Sequence, residues 1–232
     1  ADTESAHRAA FNHAFAELGM DWHWDEPLYT ELLGISGGKE RILHYWRLAH
    51  PDIRALDGHA VQDTINRIHE LKTAAYEKAV QDGAVALRPG VLKLIEAAFT
   101  AGLRLAIATT TSPVNIVALL RTALGPDWQQ YFSVVEDAST APFKKPHPQV
   151  YLQTLQRLQL PARACLALED SANGLQAALA AGLATIITPN TFTAHHDFKG
   201  ALRVLDSLRD VNVAHLHAWH AETRLAEALL RA

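Results

Sequence analysis

One stretch constrains the fold of this chain more than any other: Leu166-Ala167-Leu168-Glu169-Asp170-Ser171-Ala172-Asn173-Gly174-Leu175. A short apolar run ends in two adjacent carboxylates. Ser171 can then cap a helix that runs to about Ala181, with Gly182 as its stop. In an open parallel sheet this junction is the carboxyl end of a strand, where ligands bind. Two like charges side by side repel unless a cation or a basic side chain compensates them. Carboxylate oxygens suit Mg²⁺, so one reading is a hard-metal site. The other is a solvated turn whose acids favour the helix N-terminus. The ten residues alone fit both.

The rest of the chain supplies the setting for that junction. Ala9, Ala10, Ala14 and Phe15 recur at helical spacing between about Ser5 and Leu18, and Gly19 ends the helix. An aromatic turn with Trp22, Trp24, Pro27 and Tyr29 follows, then the turn Ser36-Gly37-Gly38-Lys39. Helices are expected from Lys39 to about His50, stopped by Pro51, and from about His59 to Val80. The first third therefore reads as all helix. From Arg88-Pro89-Gly90 onward the style changes. Strands are expected at 103–108, 132–135, 165–168 and 184–187, with a short one at 204–205. Helices alternate with them, and a final helix runs from about Val213 to Leu230. That alternation argues a parallel sheet with helices on both faces.

Composition narrows the function classes. A chain of 232 residues that is 49% hydrophobic and 20% charged can bury a real core. Its formal net charge of −4 provides no basic field and argues against nucleic acid as a partner. No apolar run reaches about 18 residues, so no membrane span is expected. The single cysteine, Cys165, excludes an internal disulfide and suits a reducing cytoplasm. No signal peptide and no oligomer are expected.

Two further stretches fall at strand ends. Ala108-Thr109-Thr110-Thr111-Ser112 places a run of hydroxyls just before the helix opened by Pro113, which can offer donors to an anion. An ordinary helix cap needs only one of them. In Pro142-Phe143-Lys144-Lys145-Pro146-His147-Pro148, Pro146 biases Lys145 toward an extended backbone, and a lysine so held suits a phosphate as a point charge. By itself it also reads as a solvated basic loop.

In that order and placement, Thr109, Lys145 and Glu169-Asp170 resemble motifs two, three and four of the haloacid-dehalogenase-like hydrolases. Ala1-Asp2-Thr3-Glu4-Ser5-Ala6-His7 resembles the segment just after that family's first motif. Trp22-His23-Trp24-Asp25, Gly37-Gly38-Lys39-Glu40-Arg41-Ile42 and the threonine run resemble its CbbY-like branch of sugar-bisphosphate phosphatases. The resemblance covers roughly 1–210. It implies a Rossmann-like α/β core at 1–12 and 86–232 with an α-helical cap inserted at 13–85. It also implies Mg²⁺-dependent phosphoryl transfer through an aspartyl-phosphate. Asp170 and Glu169 would hold the metal, and Thr109 and Lys145 the transferring phosphoryl group. Glu4, His7, Tyr29, Lys39, Lys72, Thr110 and Thr111 would meet a phosphorylated sugar. Each cap residue among these also fits plain packing or surface decoration.

Two departures from the family pattern matter. Motif one, with the nucleophilic Asp, is absent from the chain, so its strand is expected immediately before Ala1, between the strands near 103–108 and 165–168. The chain as written is then expected to be inactive and poorly folded. Ala75 also stands where a basic cap residue is expected. A sugar-phosphate mutase of the same fold and a non-catalytic fragment remain as rival readings.

Overall fold

A computed structural model describes residues 3–49 and 58–230, with side chains to Thr223. His50 and Pro51, the expected helix stop, lie outside the described residues.

The first region is a block of four helices: α1 (Glu4–Glu17), α2 (Glu26–Leu32), α3 (Gly38–Ala49) and α4 (His59–Gln81). Helix α1 buries Ala10, Phe11, Ala14 and Phe15, one stripe at helical spacing, against α4. Helix α4 answers with Ile65, Ile68, Lys72, Tyr76 and Val80. Residues 22–32, expected as an aromatic turn, contain α2. Asp25 starts it by accepting from the Leu28 amide at 2.9 Å, and Pro27 sits in its first turn, where a missing N–H costs nothing. Trp24 is fully buried, with ring centroids 4.7 Å from Phe11 and 4.9 Å from Phe15. Asn12 clamps its backbone on both sides: Nδ2 donates to Trp24 O at 2.9 Å, and Oδ1 accepts from Trp24 N at 2.8 Å. A boundary between residues 12 and 13 falls inside α1, so the first helix runs unbroken across the expected division.

The second region alternates. Helix α5 (Val91–Thr100) precedes β1 (Leu105–Ala108), and α6 (Pro113–Leu124) precedes β2 (Phe132–Glu136). Then come α7 (Gln149–Leu158), β3 (Leu166–Glu169), α8 (Ala172–Ala180), β4 (Ala184–Ile187), β5 (Arg203–Val204) and α9 (Val213–Leu230). Helix α8 begins as its sequence dictates, with Ser171 Oγ accepting from Gly174 N at 3.2 Å. All strand pairs are parallel, which confirms the expected α/β class. The pairing forms two separate sheets among the described residues, β1-β2 and β3-β4-β5. Strand β4, flanked on both sides, buries Ile186 and Ile187 completely. By contrast, β1 is only half-buried along its length, and Leu168 on β3 is 42% exposed. Strands of a parallel sheet are normally buried on both faces. Strands β1 and β3 thus each have one paired edge among the described residues.

Candidate active site

The carboxyl ends of β1 and β3 open into one cavity of about 780 Å³. Its floor is built by three strand-end segments. Thr109 continues the β1-β2 ladder through its amide to Glu136 O at 3.0 Å, and its hydroxyl accepts from Thr111 N at 3.2 Å. Asn115, one turn into α6, donates to Thr111 Oγ1 at 3.0 Å. The buried oxygens Asn115 Oδ1 and Ser112 Oγ have no hydrogen-bond partner among the described residues. Unsatisfied buried acceptors are costly, and here they border a cavity that a ligand can enter.

Lys145 bridges the two half-sheets. Its Nζ donates to Ala108 O, at the end of β1, at 2.9 Å, and it makes a short ion pair with Glu169 Oε1, at the end of β3. The ammonium also lies over the Tyr151 ring, 4.9 Å from its centroid. Tyr151 donates its hydroxyl to the same Glu169 oxygen. Burial, followed by the Glu169 charge, holds the Tyr151 hydroxyl well above its ordinary pKa, so it remains a donor. The other Glu169 oxygen packs over Gly174, where a β-carbon would overlap it.

Asp170, next in the chain, is differently placed. Desolvation, then Glu169 and Glu4, push its carboxyl up from 3.8 to about 6. Among the described residues its carboxylate accepts one hydrogen bond, a long one from Asn190 Nδ2 at 3.4 Å. Three carboxylates thus converge with Lys145 as the nearby cation, and Lys145 is spent on Glu169. Asp170 fits a hard cation that would neutralise it. Glu169 Oε1 is already engaged, which suits an orienting role better than direct ligation. No cage of three or more acidic, histidine or cysteine side chains forms among the described residues.

The helical block forms the opposite wall. Glu4, His7, Lys39, Arg41, His69, Lys72 and Tyr76 line the cavity, and Thr110 and Thr111 line it from the floor. Tyr29 does not: it is fully buried, donates to Glu4 Oε2 at 2.9 Å, and accepts from Arg41 Nη1 at 3.2 Å. Its polar end therefore sets Glu4 instead of facing the cavity. His7 stacks on Tyr76 with centroids 4.0 Å apart and a buried, unpartnered Nδ1. Burial, then Lys72, Arg41 and His69, hold it well below the ordinary histidine range. Lys72 is 5% exposed, and burial lowers it to about 8, with Arg41 the next cause. Lys39 is exposed at the rim, and its ammonium donates to Asn66 Oδ1 at 2.7 Å. Ala75 packs beside Ala10, Tyr76 and Val80, so the basic groups of this wall come from other positions.

Sequence reasoning missed Arg41, His69, Asn115, Tyr151, Asn190 and His196. Only Lys72 carried a signal that could have led to its neighbour His69: a cation on the buried stripe of α4, three residues away on the same face.

The fold and the site define a class. Residues 1–182 match the haloacid dehalogenase-like hydrolase family model, and the chain belongs to that family. It is 51% identical over 239 residues to the plasmid-encoded protein CbbY of Cupriavidus necator, covering 96% of this chain and 93% of that one. Among solved structures it resembles CbbY from Rhodobacter sphaeroides in complex with phosphate, at 43% identity and a TM-score of 0.83 over 93% of each chain. A mutant of that protein in complex with xylulose-(1,5)bisphosphate gives a TM-score of 0.84 at the same identity and coverage. A β-phosphoglucomutase from Clostridium difficile shares the fold, with a TM-score of 0.75 at 20% identity, 97% of this chain and 93% of that one covered. No helix among the described residues is long and apolar enough to cross a membrane.

Proposed function

We propose that this chain is a Mg²⁺-dependent cytoplasmic phosphatase of a sugar (bis)phosphate, working through an aspartyl-phosphate. The carrying observation is the convergence of Thr109, Lys145, Glu169 and Asp170 on a cavity whose far wall holds His69, Lys72 and, at the rim, Lys39. Its likeness to the CbbY crystallised with xylulose-(1,5)bisphosphate makes that compound the first substrate to test.

In this reading the nucleophile is the Asp of the family's first motif. The core then comprises 1–12 and 86–232, and the cap 13–85. Phosphoryl transfer is mostly a matter of positioning and charge neutralisation. Lys145 is held rigidly by Ala108 O and Glu169, so its remaining donor capacity has a fixed direction toward a phosphoryl oxygen. The Thr109 hydroxyl and the start of α6 take a second oxygen. Mg²⁺ bound at Asp170, with Glu169 behind it, would supply charge neutralisation at the phosphoryl group. Glu4, His7, Lys72, Thr110 and Thr111 sort the sugar end, and Tyr29 acts through Glu4.

The test is phosphate release from xylulose-1,5-bisphosphate by the chain carrying its natural upstream segment, with and without Mg²⁺. Mg²⁺-dependent release supports the proposal. Conversion of a sugar monophosphate to its isomer without free phosphate would replace it with a mutase, and no reaction with any sugar phosphate would overturn it.

A further inference from the structure

The segment between β4 and β5 begins beside Glu169 and Asp170. Thr188 N donates to Glu169 O at 2.8 Å, so residue 188 leaves the sheet alongside Asp170. Arg88, at the junction between α4 and α5, fixes this departure. Its guanidinium donates to the carbonyls of Thr188, Pro189 (2.8 Å) and Asp206 (2.9 Å).

Asn190 then organises the next turn from a nearly buried position. Its Oδ1 accepts from Phe192 N at 2.9 Å, its own amide donates to Thr193 Oγ1 at 2.9 Å, and its Nδ2 reaches Asp170 Oδ2. Two residues on, Phe192 leaves the α/β region altogether. It is 4% exposed and lies in the aromatic core of the helical block, its ring edge-on to Tyr29 at 5.9 Å and 87°. It is the one member of that core contributed by the chain beyond α4, among the described residues. The segment returns to the site at His196, whose Nδ1 accepts from Ala172 N at 3.2 Å.

We propose that Phe192 is a positioning residue: anchored in the cap core and joined through Asn190 to Asp170, it makes the orientation of the metal-ligating carboxylate depend on how the cap is seated. This rests on the function proposed above. Packed aromatic anchors have discrete arrangements, so a change in cap seating moves Phe192 as a unit, and the rigid Asn190 turn transmits it. The coupling is reciprocal: metal at Asp170 favours the seated cap as strongly as the seated cap favours metal.

The experiment measures the Mg²⁺-dependent rise in melting temperature, and from it the apparent Mg²⁺ affinity, for the chain with its natural upstream segment. Phe192→Ala touches no metal ligand, yet Mg²⁺ affinity is expected to fall about fivefold or more. Phe192→Leu keeps an apolar anchor and is expected to restore most of the affinity; Phe192→Val, which shortens the anchor, takes the place of Phe192→Ala if that variant does not fold. Asn190→Ala in the Phe192→Ala background is expected to weaken binding less than it does alone, because one path is broken twice. Unchanged Mg²⁺ affinity in Phe192→Ala (or in Phe192→Val, where the alanine variant does not fold), or fully additive losses in the double variant, would overturn the inference. Failure of the phosphatase reading shows itself separately, as absent phosphate release by the unsubstituted protein that still binds Mg²⁺.

Discussion

The helical block and the α/β region bury their apolar residues with unequal completeness. In the first, Phe15, Trp24 and Tyr29 are wholly enclosed by side chains mostly within the first seventy residues, and the Asn12 clamp ties the backbone of Trp24 to α1. In the second, β4 has two neighbours and buries its isoleucines, whereas β1 and β3 each have one and leave Ile107 and Leu168 partly open. Helices satisfy their backbone internally and need only a packed face. A strand edge needs a partner for its N–H and C=O groups as well. The difference teaches that the helical block encloses its core almost unaided, Phe192 excepted, whereas β1 and β3 each keep an edge open to one more strand among the described residues.

The most drastic way to break that contrast is to supply the strand. Without it the chain is expected to release no phosphate and to melt in two steps, with the Trp22 and Trp24 signal surviving to the higher temperature. With the natural upstream segment, a single cooperative melt and Mg²⁺-dependent activity should appear together in parallel calorimetry and phosphate assays. Equal rates and melts for the two forms would mean that the open edges of β1 and β3 need no further strand.

The contrast can next be tested from the other side. Trp24→Ala removes the centre of the aromatic core and should cost about 3–5 kcal/mol in urea unfolding of the helical block. A loss below about 1 kcal/mol would mean that this core is less self-sufficient than its burial implies.

A smaller effect concerns Asp170. Its folded pKa is raised from 3.8 to about 6, so its favourable contribution is complete below pH 3.8 and is lost as pH rises through 6. Asp170→Asn should therefore stabilise the metal-free protein at pH 7 by about 1–2 kcal/mol, a figure discounted for water in the cavity. It should also abolish the Mg²⁺ response of the melting temperature. A variant less stable at pH 7, or one still responsive to Mg²⁺, would refute the assignment.

The smallest effect is expected at the rim. Lys39→Ala should raise KM for a sugar bisphosphate about fivefold, near 1 kcal/mol, and leave a small aryl phosphate unchanged, because Lys39 is exposed and shares its charge with Asn66. Equal changes for both substrates in steady-state kinetics would deny it a role in selection.

Much of the α/β region was legible because local chemistry decides it. Ser171 caps α8, and the strand ends at Ala108 and Glu169 fall where apolar runs meet polar ones. Helix α2 was not legible: its signals, Asp25 and Pro27, sit among aromatic residues whose burial is set by α1 and α4. Thr109, Glu169 and Asp170 announced themselves by position at strand ends, and Lys145 by the proline that follows it in the loop between β2 and α7. Tyr151 and Asn190 did not, since each reaches the site from a different segment and carries no local pattern. Tyr29 looked like a cavity residue because a phenol can serve water or core equally well, and only packing chooses.

Two kinds of glycine in this chain set different limits on its natural variation. Gly102 has φ +75° with open space around the missing side chain, so an asparagine that tolerates left-handed backbone can replace it in relatives. Gly174 has an ordinary helical backbone but lies directly beneath the Glu169 carboxylate. Any L-residue there must displace a carboxylate that Lys145 and Tyr151 hold in place. A saturation library that reads phosphate release should therefore tolerate fewer substitutions at 174 than at 102. In a lineage that has given up the Glu169 carboxylate, position 174 should be the first of the two to drift.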